Sequence, residues 1–174
     1  MPGDLSIHDT LQRCWGYHEF RAHQEGACQA VLEGRDSLIL MATGSGKSLC
    51  FQLPAAWAHS QDRRTFTSSS SSSRGGGSGW GGGRVTVVVS PLVSLMEDQV
   101  AGLSHHGIPA VMLGGANAGN YALEAEAAAG NYALVYVAPE KLASWHQQHS
   151  STTTTSSGRS GSSFLQRLHR GGGG

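Results

Sequence analysis

Short, uninterrupted apolar runs recur along the chain and predict the strands of a sheet. Each run is apolar at consecutive positions rather than at alternate ones, and the second is rich in β-branched residues. Strands of this kind are typical of a parallel sheet that is covered on both faces, whereas a sheet with one face in solvent alternates apolar and polar positions. The predicted strands are 37–41, 84–90, 109–113 and 133–138.

Helical periodicity fills the segments between these runs. In 92–104 apolar positions recur three and four residues apart, and in 24–32 Ala27, Val31 and Leu32 share one face. We predict two more helices, 47–58 and 123–129, and expect Pro54 to bend or end the first of them. The alternation of strand and helix predicts a doubly wound α/β fold, with helices on both faces of a mostly parallel sheet.

Glycine and serine are concentrated in two tracts. The chain has 174 residues, of which 25 are glycine. The tracts at 67–83 and 150–163 carry almost no apolar side chains, so we expect them to be flexible loops inserted between elements. Residues 1–10 are expected to be a leader, and 11–174 to form one domain.

Charge and cysteine content exclude several classes of protein. Twelve Lys+Arg residues balance twelve Asp+Glu residues. A histone-like polycation is therefore excluded, although a local basic groove is not. The three cysteines form no CxxC pair, which disfavours a disulfide framework and favours a reducing compartment. No apolar run approaches the ~18–20 residues of a membrane span, and the start of the chain lacks the features of a secretory signal.

Nine histidines raise the question of a metal site. His18 with His23, His105 with His106 and His146 with His149 are the close pairs in the sequence. None is joined by a cysteine or carboxylate at a spacing typical of zinc. We therefore expect the histidines to be exposed to solvent rather than to bind a metal ion.

A glycine turn between a predicted strand and a predicted helix carries the strongest chemical signal. Residues 38–48 read LILMATGSGKS. Gly44 and Gly46 permit backbone conformations in which successive N–H groups converge on phosphate oxygens, and the helix N-terminus adds the positive end of its dipole. Lys47 is then the candidate catalytic residue that reaches the β- and γ-phosphates, and the Ser48 hydroxyl is the candidate Mg²⁺ ligand.

The loop departs from the strict phosphate-loop pattern at one position, because Met41 stands where that pattern has its first glycine. The strand–turn–helix context is present, so we interpret Thr43, Gly44, Ser45, Gly46, Lys47 and Ser48 as a nucleotide-binding loop. The alternative is a glycine-rich turn that precedes a Lys-Ser pair by coincidence. Kinases, GTPases, transporters and helicases all use such a loop, so the loop alone leaves the reaction open.

Residues on either side of the loop narrow the choice. Arg21 and Gln24 precede it and can hydrogen-bond an adenine edge. Ser90-Pro91-Leu92 and Pro139-Glu140 each follow a predicted strand, so both lie at the carboxyl edge of a parallel sheet, where ligands bind. Ser90 and the helix N-terminus after it can hold a nucleic-acid phosphate. Each group also has an ordinary explanation as a strand exit, a helix cap or an exposed polar side chain.

Taken in order, four segments resemble the RecQ family of ATP-dependent DNA helicases. They are WGYHEFRAHQ (15–24), ATGSGKSLCFQLP (42–54), VVVSPLVSLMEDQV (87–100) and LVYVAPEKL (134–142). They are similar to the family's adenine-recognition segment, its Walker A motif, its motif Ia and its motif Ib. The resemblance covers 11–142 and implies a RecA-like first motor domain that uses ATP and Mg²⁺.

The same resemblance implies an activity and partners. It implies 3′-to-5′ unwinding of DNA in recombination and repair, with a single-stranded 3′ tail and duplex junctions as substrates. Arg21 and Gln24 would then read adenine, and Ser90, Pro91, Leu92, Pro139 and Glu140 would line the DNA track. The Ser and Gly runs favour a eukaryotic protein in the nucleus, and a bacterial relative would be cytoplasmic.

One feature of the family is not found. Its motors carry an Asp-Glu-Ala-His box after motif Ib, and no such sequence occurs here. Phe164–Leu168 resembles the helix that precedes that box. We therefore expect the front part of a RecQ-like helicase, an incomplete RecA-like domain that is inactive on its own. The alternatives are a non-catalytic ATP- or DNA-binding module and a piece that does not fold stably.

Overall fold

The computed structural model of the protein describes residues 5–69, 83–117 and 119–150, and these residues form a three-stranded parallel sheet with flanking helices. The strands are β1 (Thr86–Val89), β2 (Ala110–Leu113) and β3 (Leu134–Val137). The α-helices are α1 (Ile7–Thr10), α2 (Gln24–Leu32), α3 (Leu49–Ser69), α4 (Val93–His105), α5 (Tyr121–Ala128) and α6 (Pro139–Ser150). A π-helix spans Leu11–Trp15, and a short 3₁₀ turn spans Gly115–Asn117.

The strands follow the order β1-β3-β2, so the last strand of the described chain lies in the middle of the sheet. Val89 and Leu113 both pair with Val137 in parallel register. All three strands therefore end at one edge, called the carboxyl edge below. The strand predictions for 84–90, 109–113 and 133–138 are confirmed to within two residues at each end.

Both faces of the sheet are covered by helices. Leu134 and Tyr136 pack on one side with Ala55 of α3 and Met96 of α4. The alternate residues of β3 pack on the other side with Ala127 of α5 and Trp145 of α6. Every residue of β3 is buried, which explains why the strand reads as an unbroken apolar run. The predicted α/β class with helices on both faces is confirmed.

The prediction of a strand at 37–41 is wrong. These residues belong to no sheet, and Leu38 and Leu40 are 89% and 86% exposed. A β-strand needs a neighbour to accept and donate its backbone hydrogen bonds. The described residues place no strand beside this segment, so its apolar character alone does not make it part of the sheet.

Pro54 lies inside α3 and does not end it, contrary to the predicted end near residue 58. A proline in a helix removes the hydrogen bond to the carbonyl four residues earlier, here that of Cys50. The Cys28 thiol of α2 lies 3.8 Å from that oxygen and donates a weak hydrogen bond to it. The carbonyl therefore has a replacement donor, and Pro54 itself is fully buried.

The buried face of α2 also differs from the prediction. Gln24, Cys28 and Ala30 are buried, whereas Val31 is 43% exposed. The reason is that α2 packs on α3 beside the glycine loop, where Cys28 contacts Leu49 and Leu53. Which face of a weakly amphipathic helix is buried depends on its neighbour and not on its own pattern.

The N-terminal residues form ordered structure against α3. A capping box between Ser6 and Asp9 begins α1, and Trp57 Nε1 of α3 donates to the Leu5 carbonyl. Helix α3 ends at Ser69, within the first predicted Ser/Gly tract. Residues 70–82, the second tract beyond Ser150 and the predicted helix at Phe164–Leu168 lie outside the described residues. Within the described ranges, no helix is both long and apolar enough to cross a lipid bilayer.

Candidate nucleotide-binding site

The glycine loop forms a tight turn between the segment 37–42 and helix α3. Gly44 and Gly46 have φ angles of 78° and 89°, a left-handed region that L-residues with side chains rarely adopt. The Ser45 N–H donates to the Ala42 carbonyl at 3.2 Å, and its hydroxyl donates to the same oxygen at 2.5 Å. The two glycines therefore allow a backbone reversal that Ser45 holds closed.

The backbone N–H groups of this turn form a candidate anion-binding site. The N–H groups of Gly44, Gly46, Lys47 and Ser48 make no hydrogen bond to the described residues. They lie just before the first turn of α3, where the helix dipole places partial positive charge. Such a set of donors fits the oxygens of a nucleotide phosphate.

Lys47 is exposed, and its ammonium folds back over the loop. Nζ donates to the Met41 and Ala42 carbonyls, each at 2.8 Å. These bonds need a backbone oxygen at position 41 but no particular side chain. Met41 in place of glycine is therefore compatible with this contact. A phosphate that enters the loop competes with these two carbonyls for Lys47.

Gln24 links the segment before the loop to the loop itself. Its side chain is 3% exposed, and Nε2 donates to the Gly46 carbonyl at 3.1 Å. Its Oε1 accepts from the Arg21 backbone N–H at 2.8 Å, so both ends of the amide are engaged. His23, which precedes Gln24, has a φ of 69°, a rare conformation for a residue with a side chain. The structure thus places Gln24, the residue predicted to read adenine, against the glycine loop, while the Arg21 side chain is exposed.

At the carboxyl edge, the two predicted DNA-contact segments lie side by side. The Ser90 N–H donates to the Val137 carbonyl at 3.1 Å, which ties the end of β1 to the end of β3. The Ser90 hydroxyl accepts from the Leu92 N–H at 3.3 Å just before α4 begins. Pro91, Leu92, Pro139 and Glu140 are all exposed at this edge. The geometry leaves these residues accessible to a partner.

Sequence reasoning missed the polar residues that join these regions. Gln52 of α3 is 8% exposed, and its Nε2 donates to Gln99 Oε1 of α4 and to the Tyr136 hydroxyl of β3. The sequence did indicate a buried polar residue, since Gln52 is a lone amide in the apolar run LCFQLPAAWA. Its partners are 47 and 84 residues away in sequence, so only the fold identifies them.

The histidine pairs assemble no metal site in the part of the chain that the structure describes. No group of three or more His, Cys, Asp or Glu side chains there is placed to hold an ion. His18, His23, His105 and His106 are exposed as expected. His59 is the exception, because it is 3% exposed and burial lowers the pKa of its imidazole.

Comparison with known proteins indicates the same family as the four sequence segments. The family model for DEAD/DEAH box helicases matches residues 21–159. An ATP-dependent DNA helicase RecQ of Pasteurella multocida is 36% identical over 136 residues, which is 77% of this chain and 18% of the relative. An ATP-dependent DNA helicase Q-like SIM of Arabidopsis thaliana is 36% identical, covering 78% of this chain and 13% of the relative. The mouse bifunctional 3′-5′ exonuclease/ATP-dependent helicase WRN is 34% identical, and the match covers 76% of this chain and 8% of the relative.

The match to the family model includes the glycine loop and both segments at the carboxyl edge. The chain spans less than a fifth of the length of these relatives. The resemblance inferred from the four segments is confirmed by the family model and by relatives from bacteria, a plant and a mammal. The chain belongs to the DEAD/DEAH box helicase family, within its RecQ branch.

Proposed function

We propose that this chain supplies the ATP-binding part of the first motor domain of a RecQ-type helicase, which couples ATP hydrolysis to 3′-to-5′ DNA unwinding. The carrying observation is the glycine loop, where the N–H groups of Gly44, Gly46, Lys47 and Ser48 make no hydrogen bond to the described residues. Four backbone donors without a partner among the described residues, beside a lysine, are suited to the phosphates of a nucleotide.

In this proposal each loop residue has a distinct role. The backbone from Thr43 to Ser48 cradles the phosphates, and Lys47 exchanges the Met41 and Ala42 carbonyls for the β- and γ-phosphate oxygens. The Ser48 hydroxyl holds Mg²⁺, which neutralises charge on the phosphates when it is bound. Arg21 and Gln24 contact the adenine, for which Gln24 exchanges its present contact with the Arg21 N–H for the base. Its Nε2 keeps the Gly46 carbonyl and so links base recognition to the loop.

DNA would run along the carboxyl edge. Ser90, Pro91 and Leu92 lie next to Pro139 and Glu140 there, because β1 and β3 are neighbours. The first turns of α4 and α6 add N–H groups that can bind phosphates without a net basic charge. We propose a single-stranded 3′ tail and duplex junctions as substrates. We also propose a role in recombination and repair, in the nucleus if the protein is eukaryotic and in the cytoplasm if it is bacterial.

A second candidate function is ATP or DNA binding without turnover by this chain. The observation that favours it is the lack of an Asp-Glu-Ala-His sequence in the chain. A motor needs an aspartate for Mg²⁺ and a glutamate to position water. The two candidates agree on binding and differ only in hydrolysis.

The test is titration of the full chain with Mg·ATP by calorimetry, followed by an ATPase assay with and without single-stranded DNA. Lys47→Ala should weaken ATP binding by about tenfold or more, because it removes a charge-assisted contact. Arg35→Gln is the matched control, since Arg35 is an exposed cation that pairs with Glu33. Equal affinity in Lys47→Ala and wild-type protein contradicts the proposal. DNA-stimulated turnover supports the motor, and binding without turnover supports the second candidate.

A further inference from the structure

A tight turn of four residues, Arg21–Gln24, leads directly into α2. The Gln24 N–H donates to the Arg21 carbonyl at 3.1 Å and closes the turn. His23, the third residue, has φ 69° and ψ −12°, close to the values of about +80° and 0° at the third position of a type II turn. Glycine or asparagine is preferred there. Among the described residues, His23 is the only one other than glycine with a positive φ.

This turn carries both residues that are proposed to contact adenine, one at each end. Gln24 is anchored on the glycine loop, because its Nε2 donates to the Gly46 carbonyl at 3.1 Å. Arg21 follows Gln24 through the turn, since its carbonyl accepts from the Gln24 N–H and its own N–H donates to Gln24 Oε1 at 2.8 Å. The conformation of the turn therefore sets where Arg21 lies relative to the loop.

Binding of adenine would remove one of the two hydrogen bonds that close the turn. In the proposed function Gln24 Oε1 leaves the Arg21 N–H for the base, so the backbone bond between Gln24 and Arg21 is left to hold the turn. That bond requires the left-handed conformation of His23. The imidazole itself is exposed and makes no capping hydrogen bond to α2. Rare backbone conformations of this kind cluster at ligand-binding sites.

We propose that His23 is a positioning residue for adenine recognition, and that its left-handed backbone rather than its imidazole holds Arg21 and Gln24 at the spacing the base requires. The inference rests on the proposed function, because it concerns the base end of the same site. The consequence is a defect in base selectivity when the turn opens. Gln24 Oε1 can accept from the amino group of adenine, whereas guanine presents an acceptor at that position.

The test is calorimetric titration of the full chain and its variants with Mg·ATP and with Mg·GTP. His23→Val places a β-branched residue where φ is positive, which opens the turn, so ATP affinity should fall about tenfold and the ATP/GTP affinity ratio should fall with it. His23→Gly adopts the same φ without strain and should keep the wild-type ratio although it lacks the imidazole. His105→Val is the matched control at an exposed position of α4 and should leave both affinities unchanged.

Three outcomes overturn the inference. An unchanged ATP/GTP ratio in His23→Val shows that the turn does not position the base-reading residues, and an equal loss of ATP and GTP binding shows a merely structural role. A loss of ATP affinity in His23→Gly assigns the effect to the imidazole, and this arm remains decisive if the valine variant does not fold. Wild-type protein that binds no Mg·ATP contradicts the proposed function itself, so the two failures are distinguishable.

Discussion

Gln52 Nε2 donates to Gln99 Oε1 at 2.6 Å and thereby joins α3, the helix after the glycine loop, to α4, the helix after Ser90-Pro91-Leu92. Its second hydrogen reaches the Tyr136 hydroxyl at 3.3 Å, in the central strand. One buried amide thus connects α3, α4 and β3.

Replacing Gln52 by alanine should lower the free energy of unfolding by about 1–3 kcal/mol. Tyr136 is 1% exposed, so the loss of Gln52 leaves its buried hydroxyl without this hydrogen-bond partner. Gln29→Ala is the control, because Gln29 is exposed on α2 and its loss should change stability by about 0.5 kcal/mol or less. Urea denaturation measures both, and equal effects of the two substitutions would contradict the role of Gln52.

Gly46→Ala should abolish ATP binding and destabilise the loop. An alanine Cβ at this position lies 2.5 Å from Gln24 Nε2, and its φ of 89° costs a residue with a side chain about 1–2 kcal/mol. Gly102→Ala is the matched control. Gly102 lies within α4 with nothing within 4 Å of its Cβ position, so this change should stabilise the protein by about 0.5–1 kcal/mol.

The clash itself is tested by combining Gly46→Ala with Gln24→Ala. If Gln24 causes the steric part of the penalty, Gly46→Ala should cost less stability in the Gln24→Ala background than in the wild type. A penalty of the same size in both backgrounds would assign the whole effect to the backbone conformation. Thermal denaturation of the four proteins supplies the comparison.

The stability of the protein should fall in alkali because of Cys28. Burial raises the pKa of this thiol to about 12, whereas in the unfolded chain it is 9.0. Between these values the folded state holds a proton that the unfolded state has lost. The free energy of unfolding should therefore fall as pH rises from about 9 to about 12, by at most about 1.4 kcal/mol per pH unit for this group.

Urea denaturation at a series of pH values between 8 and 11 measures this slope. Cys28→Ala removes the titrating group and should give a shallower decrease than the wild type, although it is less stable at pH 8. Tyr132 and Tyr136 also have raised pKa values and contribute equally to both proteins. Parallel profiles for the two proteins would show that the Cys28 thiol does not titrate in this way.

Two ion pairs between a basic side chain and a glutamate should differ in their contribution to stability. Lys141 Nζ lies 2.5 Å from Glu124 Oε1 and 5.3 Å from the centre of the Trp145 ring, and the two charged side chains are 20% and 16% exposed. Lys141→Ala leaves Glu124 partly buried without its partner and should cost roughly 1–3 kcal/mol. Arg35 pairs with Glu33 where the side chains are 63% and 49% exposed, so Arg35→Ala should cost less than about 0.5 kcal/mol.

The contributions of the two ion pairs to stability should also respond differently to salt. The exposed Arg35 pair should lose its small contribution between about 0.05 and 1 M NaCl, whereas the Lys141 pair should retain most of its contribution. Urea denaturation at both salt concentrations measures the difference. A Lys141→Ala penalty that disappears in 1 M NaCl would mean that the pair behaves as a surface contact.

The local sequence pattern was sufficient to predict those elements whose conformation depends mainly on their own residues. Helix α2 begins and ends where the sequence predicts, and the three observed strands coincide with apolar runs. The glycine loop was also predictable, because Gly44 and Gly46 supply φ values that other residues rarely adopt. The run of apolar residues in β3 indicated correctly that both faces of that strand are covered.

What the sequence could not determine depends on neighbours that are distant along the chain. Leu38 and Leu40 have the pattern of a strand but lie in solvent, because the described chain places no partner strand beside them. His59 belongs to a set expected to be exposed, yet it is buried beside the Arg84 carbonyl. Gln24 reaches Gly46, and Gln52 reaches Gln99, only through the packing of α2 and α4 around α3. Backbone propensity and periodicity are properties of a segment, whereas burial and hydrogen-bond partners are properties of the assembled fold, which decided these contacts.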